Sequence, residues 1–152
     1  MTLYFAYGAN MERAAMARRC PGASAFGVAL LRGWRYVIAD GYGSIAPMPG
    51  QCVHGVLWRL TPRDLAALNA FESLDSGLYR RAIVTVETGA GRARALVYVG
   101  RRRGKRAPMP GYQQRLVAAA QDWQLPPVYI EGLRRLAPGY RGARPAETGE
   151  IA

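Results

Sequence analysis

What the chain lacks narrows the search before any motif is sought. It carries one histidine, His54, set in a strand-like run between Val53 and Gly55-Val56-Leu57. That argues against a metal centre built on imidazoles and reads His54 as a sheet residue. A Ser-His-Asp triad would have to use it, and no serine stands in a nucleophile-elbow setting. Its two cysteines, Cys20 and Cys52, have neither a CxxC spacing nor a Cys/His cluster around them. They read as plain thiols, with no zinc site or disulfide framework. No apolar stretch approaches the roughly 18 residues of a membrane helix. The N-terminal run has no basic region ahead of it, so the expectation is a cytoplasmic protein that does not enter a membrane. Neither a GxxxxGK[ST] nor a GxGxxG loop occurs, which removes the common nucleotide-binding signatures.

Acidic residues are also scarce, ten against 21 basic, for a net charge of +11. Such a field attracts polyanions, yet every basic residue but Lys105 is an arginine and they are spread along the chain. One run is concentrated, Arg101-Arg102-Arg103-Gly104-Lys105-Arg106. It has no interleaved aromatics for base stacking and reads first as a solvated loop, so nucleic acid is not an expected partner.

What is present fits one domain over residues 1–140, with 141–152 as a loose tail. Thr2 to Tyr7 reads as a strand that stops at Gly8. Asn10 reads as the N-cap of a helix from Met11 to Arg19, closed by Pro21-Gly22. The runs 26–31, 34–39 and 53–60 read as short strands between glycine-rich turns. Thr61-Pro62-Arg63-Asp64 has the cap, the first-position proline and the early acid of a helix that should end near Phe71. Residues 79–87 and 92–100 form an expected hairpin across Thr88-Gly89-Ala90-Gly91. Two helices close the pattern, over 112–123 and after Leu125-Pro126-Pro127, the second with Tyr129, Leu133 and Leu136 on one face. Six or so strands, unequally interleaved with helices, predict an α+β single domain with a mixed, barrel-like sheet and flanking helices.

Most of the acids sit where water reaches them: Glu12, Asp64 and Glu131 on helices, Glu87 at the hairpin, Glu147 and Glu150 in the tail. Glu72 differs. It continues the Leu65–Leu68 face at i+7 and i+4, so an acid is steered toward the core, where desolvation raises its pKa into the range useful for proton exchange. An exposed helix end, or pairing with Arg80 or Arg81, is the alternative reading. The loop Tyr7-Gly8-Ala9-Asn10 lies at the carboxyl end of a strand, where free N–H groups face a ligand carboxylate or oxyanion. The alternative there is an ordinary turn.

Together these pieces resemble the γ-glutamylcyclotransferase family and its AIG2-like and antibiotic-biosynthesis relatives. The family's opening strand and YGSN-type loop are matched by Tyr4-Phe5-Ala6-Tyr7-Gly8-Ala9-Asn10-Met11. Its V-x-G-x-x-W strand is matched by Val53 to Trp58, and its L-x-x-x-E-G element by Leu68 to Ser73, followed by Tyr79-Arg80-Arg81. Two late elements are similar to Pro108 to Tyr112 and Leu125 to Tyr129. The resemblance implies a mixed barrel-like domain that needs no metal or cofactor. It implies cyclisation of a small γ-glutamyl compound (amino acid, peptide or amine) to 5-oxoproline and a free amine. It places Glu72 at the catalytic position and assigns Tyr4, Phe5, Ala6, Tyr7, Gly8, Ala9, Asn10, Tyr79 and Tyr112 to substrate binding. Ala9 replaces the family's usual serine and Ser73 its usual glycine. A non-catalytic binding module of the same fold, holding a polyanion on the Arg-rich run, is the competing expectation. Monomer and homodimer both remain open.

Overall fold

In the computed structural model, residues 1–72, 78–101, 104 and 106–139 are described. The expected tail, Ser73 and three members of the basic run, Arg102, Arg103 and Lys105, lie outside them. Five strands form a closed barrel in the order β1-β3-β2-β4-β5, where β1 is Thr2–Ala6, β2 Ser24–Ala39, β3 Tyr42–Leu60, β4 Tyr79–Thr88 and β5 Gly91–Gly100. All neighbours run antiparallel except β1 and β5, which meet in parallel at Tyr4 and Leu96. Helices α1 (Arg13–Arg19), α2 (Pro62–Phe71), α3 (Tyr112–Asp122) and α4 (Pro127–Arg134) complete the domain. Among the described residues, none is long and apolar enough to cross a membrane.

The period-two alternation of strands sorts side chains into two cores. On one face Phe5, Tyr7, Leu31, Val53, Leu57, Val86, Val97 and Val99 pack together. On the other, Tyr4, Ala6, Val56, Trp58, Leu96 and Tyr98 meet Met11, Met16, Leu68, Leu116 and Leu133 from the helices and the turn before α1. β1 therefore contributes alternate residues to both. Gly55 is required where β3 runs against β1, since a Cβ there would run into the Ala6 carbonyl oxygen.

The α2 start matches its sequence pattern. Thr61 caps the helix, Asp64 returns the bond to the Thr61 N–H, and Pro62 opens the first turn. Three expectations need correction. The runs 26–31 and 34–39 belong to one strand, β2, bent at irregularities between Ala25 and Gly27 and between Arg32 and Trp34. The run 53–60 is only the end of β3, which begins at Tyr42, so the barrel has five strands. Local breaks at glycine look like turns in sequence, but pairing along the whole β2–β3 hairpin overrides them. Asn10 caps no helix either. Residues Ala9–Met11 make a 3-10 turn, α1 begins at Arg13 after Glu12, and the Asn10 side chain is turned inward.

Candidate active site

A cavity of about 350 Å³ opens at the rim of the barrel, between the loop after β1, the end of α2 and the start of α3. That is the size range of small-molecule sites. Gly8, Ala9 and Asn10 form one wall, Glu72 and Phe71 another, and Tyr42 and Gly43 from the β2–β3 hairpin a third. Six of the nine tyrosines line it: Tyr4, Tyr7, Tyr42, Tyr79, Tyr98 and Tyr112. The walls are thus rich in neutral hydroxyls that donate and accept hydrogen bonds.

Two tryptophans rivet the loop in place. Trp58 donates from Nε1 to the Asn10 carbonyl (3.1 Å) and Trp123 to the Met11 carbonyl (2.7 Å), the rings packing edge to face. The turn is closed by Met11 N–H to Gly8 O and Glu12 N–H to Ala9 O. The first N–H groups of such a turn have no partner within the turn itself, and the residues that carry them, Gly8, Ala9 and Asn10, line the cavity. Asn10 donates from its amide to the Tyr4 hydroxyl (3.1 Å) and accepts from Arg19. Gly8 leaves room for α3: a Cβ would sit 3.3 Å from the Tyr112 hydroxyl. That hydroxyl accepts from the Gly43 N–H (3.2 Å), tying α3 to the hairpin wall. Tyr7 donates to the Tyr98 carbonyl (2.6 Å), and Tyr98 donates to Asn69 of α2.

Glu72 is the C-cap of α2, its N–H bonded to the Leu68 carbonyl (2.9 Å). Burial pushes its carboxyl up to about 7, opposed by the positive charge of Arg19. The phenols of Tyr4, Tyr7 and Tyr112 are pushed above their ordinary value, chiefly by burial, with Glu72 adding to the shift. The acid can therefore change protonation near neutrality while the tyrosines around it stay neutral.

Of the expected substrate-binding residues, Tyr4, Tyr7, Gly8, Ala9, Asn10, Tyr79 and Tyr112 line this cavity together with Glu72. Phe5 and Ala6 do not. Phe5 is fully buried in the opposite core and Ala6 packs beneath the helices, as alternation along β1 requires. Arg19, Tyr42, Tyr98 and Arg115 also line the cavity, without having been marked by the sequence pattern. The signal for Tyr98 was its phase in β5, two positions from Leu96 on the same face. Tyr42 and Arg19 reach the site only through tertiary folding. Asp64, expected on the wetted side of its helix, is 2% exposed and bonded to Thr61 and to the Gly22 N–H. Of the basic run, Arg106 lies 3.5 Å from Asp40, and the Gly104 carbonyl accepts from the Asp40 N–H. Those two residues anchor the tip of the β2–β3 hairpin. His54 lies on β3 against the Tyr129 ring of α4. Among the described residues, no three His, Cys, Asp or Glu side chains cluster as a metal site would need.

A closed mixed barrel with a buried acid at the rim of a small-molecule cavity is the architecture of an enzyme. A family model described as Gamma-glutamyl cyclotransferase, AIG2-like, matches residues 4–125, and the chain belongs to that family. It is 29% identical to the human gamma-glutamylcyclotransferase, over 98% of this chain and 86% of that one. The bovine gamma-glutamylcyclotransferase is 28% identical over the same shares. A solved structure titled Gamma-glutamyl cyclotransferase superimposes with a TM-score of 0.85 at 26% identity, covering 94% of this chain and 92% of its own.

Proposed function

We propose that this chain converts a small γ-glutamyl compound (an amino acid, peptide or amine conjugate) into 5-oxoproline and the free amine. One observation carries the reading: Glu72, its carboxyl raised to about 7, shares a cavity with the Gly8–Asn10 turn. The substrate's α-ammonium gives a proton to ionised Glu72. The freed amine nitrogen attacks the γ-carbonyl carbon, forming the ring C–N bond and placing negative charge on the carbonyl oxygen. As the tetrahedral centre collapses, the original amide C–N bond breaks and Glu72 gives its proton to the departing nitrogen; the ionised carboxylate then takes the remaining extra proton from the ring nitrogen and passes it to the amine, which leaves as an ammonium. A single carboxyl group serves as base and then as acid, which is efficient when its pKa lies near the working pH.

The N–H groups at the opening of the 3-10 turn are suited to the substrate's α-carboxylate or the developing oxyanion. Backbone donors do this work with alanine at position 9 as well as with serine. Tyr79 and Tyr112 close the cavity and hold the substrate in the folded conformation that cyclisation needs. The test is 5-oxoproline release from a panel of γ-glutamyl amino acids, peptides and amines, with Glu72→Gln beside the wild type. Turnover should occur with at least one member and fall to near background in the variant. Full activity of Glu72→Gln would remove Glu72 from the chemistry.

A further inference from the structure

Arg19 closes α1 and is the second charged residue of the α1–α2 side of the cavity. Its guanidinium has two contacts at once. It donates to Oδ1 of Asn10. It lies over the Phe71 ring, 3.8 Å from the centroid. Glu72, the residue after Phe71, lines the same cavity, and the two opposite charges favour each other there. Arg115, the other arginine of the cavity wall, is instead paired with Glu12 at 2.8 Å. We propose that Arg19 is the positioning residue of Glu72: braced between Asn10 and Phe71, its fixed charge holds the Glu72 carboxylate in the cavity opposite the Gly8–Asn10 turn. The proposal rests on Glu72 being the group that exchanges protons, and extends it by naming what sets the pH at which it does so.

Glu72 sits at the C-terminal end of α2, where partial negative charge gathers, and it is desolvated, so its ionised form is doubly disfavoured. Left to those influences it would be protonated at neutral pH and unable to take a proton. The titratable and charged groups that share its cavity among the described residues are Tyr4 on β1, Tyr7 in the loop after it, Tyr42 on β3, Tyr79 on β4, Tyr98 on β5, Tyr112 and Arg115 on α3 and Arg19 on α1. The phenols of Tyr4, Tyr7, Tyr98 and Tyr112 are neutral here and Arg115 is paired with Glu12, so Arg19 supplies the compensating positive charge. A planar guanidinium can lie on a phenyl face and still donate at its edge, which a lysine ammonium cannot. Phe71 is 48% exposed. A large apolar ring kept in partial contact with water at the mouth of a cavity is accounted for if it is the shelf on which Arg19 rests. The same contacts couple the two halves of the site, since Arg19 touches both the loop after β1 and the end of α2.

The test reads Glu72 directly. Protein labelled with 13C at the glutamate δ-carbons is titrated by NMR, the Glu72 signal being assigned by its loss in Glu72→Gln. Arg19→Met should move the Glu72 midpoint upward by about half a pH unit or more, Arg19→Lys should keep it nearer the wild-type value, and Phe71→Leu should move it part of the way. An unmoved midpoint in both Arg19→Met and Phe71→Leu overturns the proposal. Should Arg19→Met fail to fold, Arg19→Gln and Phe71→Leu decide it by the same criterion. The acid limb of the kcat/KM profile for 5-oxoproline release should shift with the NMR midpoint, whereas a merely structural role would lower activity by one factor at every pH. Absence of turnover in the wild type with a shifted midpoint would sink the proposed reaction and leave the Arg19–Glu72 assignment standing. Turnover with an unmoved midpoint would do the reverse.

Discussion

The two ends of α2 carry two acids with opposite fates. Asp64, at the first turn, is buried, yet its carboxyl is held below the ordinary range. Burial alone would raise it, but the hydrogen bonds from the Thr61 hydroxyl, the Thr61 N–H and the Gly22 N–H together prevail. Glu72, at the last turn, is raised to about 7 because burial prevails over the Arg19 charge. Desolvation acts on both. What differs is the supply of donors, which is rich at a helix N-terminus and poor at a C-terminus. One end of the helix is thereby a structural clasp, and the other holds a proton loosely enough to exchange it.

The comparison can be broken most sharply at Glu72. Replacing it with glutamine should lower kcat/KM for 5-oxoproline release by about 10³-fold or more, read by product formation with the fold checked by circular dichroism. The same variant should be more stable than the wild type at pH 8. A carboxyl whose folded pKa is raised from 4.5 to about 7 stabilises the fold fully only below its unfolded pKa. That stability is lost as pH rises toward 7. Thermal melts should therefore show Glu72→Gln ahead by roughly 3 kcal/mol at pH 8, the gap closing as pH falls to 4.5.

Asp64 should behave in the opposite sense. Asp64→Asn should destabilise the protein by about 1–2 kcal/mol at pH 7 through loss of the capping box and the Gly22 contact. Because its folded pKa is depressed, the contribution is present above the unfolded pKa and lost as pH falls through the lower folded one. The two proteins should therefore converge in strong acid, as denaturant titrations across pH would show. The smallest effect is expected at Tyr112→Phe, which removes the acceptor for the Gly43 N–H (3.2 Å) while leaving the ring in place. KM should rise by roughly threefold to tenfold with kcat less affected, in line with about 1 kcal/mol for one neutral hydrogen bond.

The asymmetry of α2 was half visible in the sequence. Thr61, Pro62 and Asp64 mark the helix start by local chemistry, and that local chemistry is what forms. The inward turn of Glu72 followed from its spacing to Leu65 and Leu68. The burial of Asp64 did not, because it depends on Gly22, which approaches α2 from 42 residues away. Asn10 misled for a related reason. Its side chain suits an N-cap, but Tyr4 and Arg19 claim it in the folded protein. The barrel was legible as a class from its short β-rich runs, whereas the continuity of β2 and β3 was not, since pairing between distant residues carries the strands through their glycines. Arg19 looked like an ordinary cation at a helix C-terminus. Only the approach of α1 to the end of α2 brings its guanidinium over Phe71 and onto the cavity that Glu72 lines.

Whether Glu72 is the proton-exchanging group is decided by the pH dependence of 5-oxoproline release, with wild type and Glu72→Gln measured side by side. Wild-type kcat/KM should fall tenfold per pH unit below an inflection near 7, and the variant should be near background at every pH. A wild-type profile that runs flat from pH 5 to 8, or a variant that matches it, would remove Glu72 from the proton transfer.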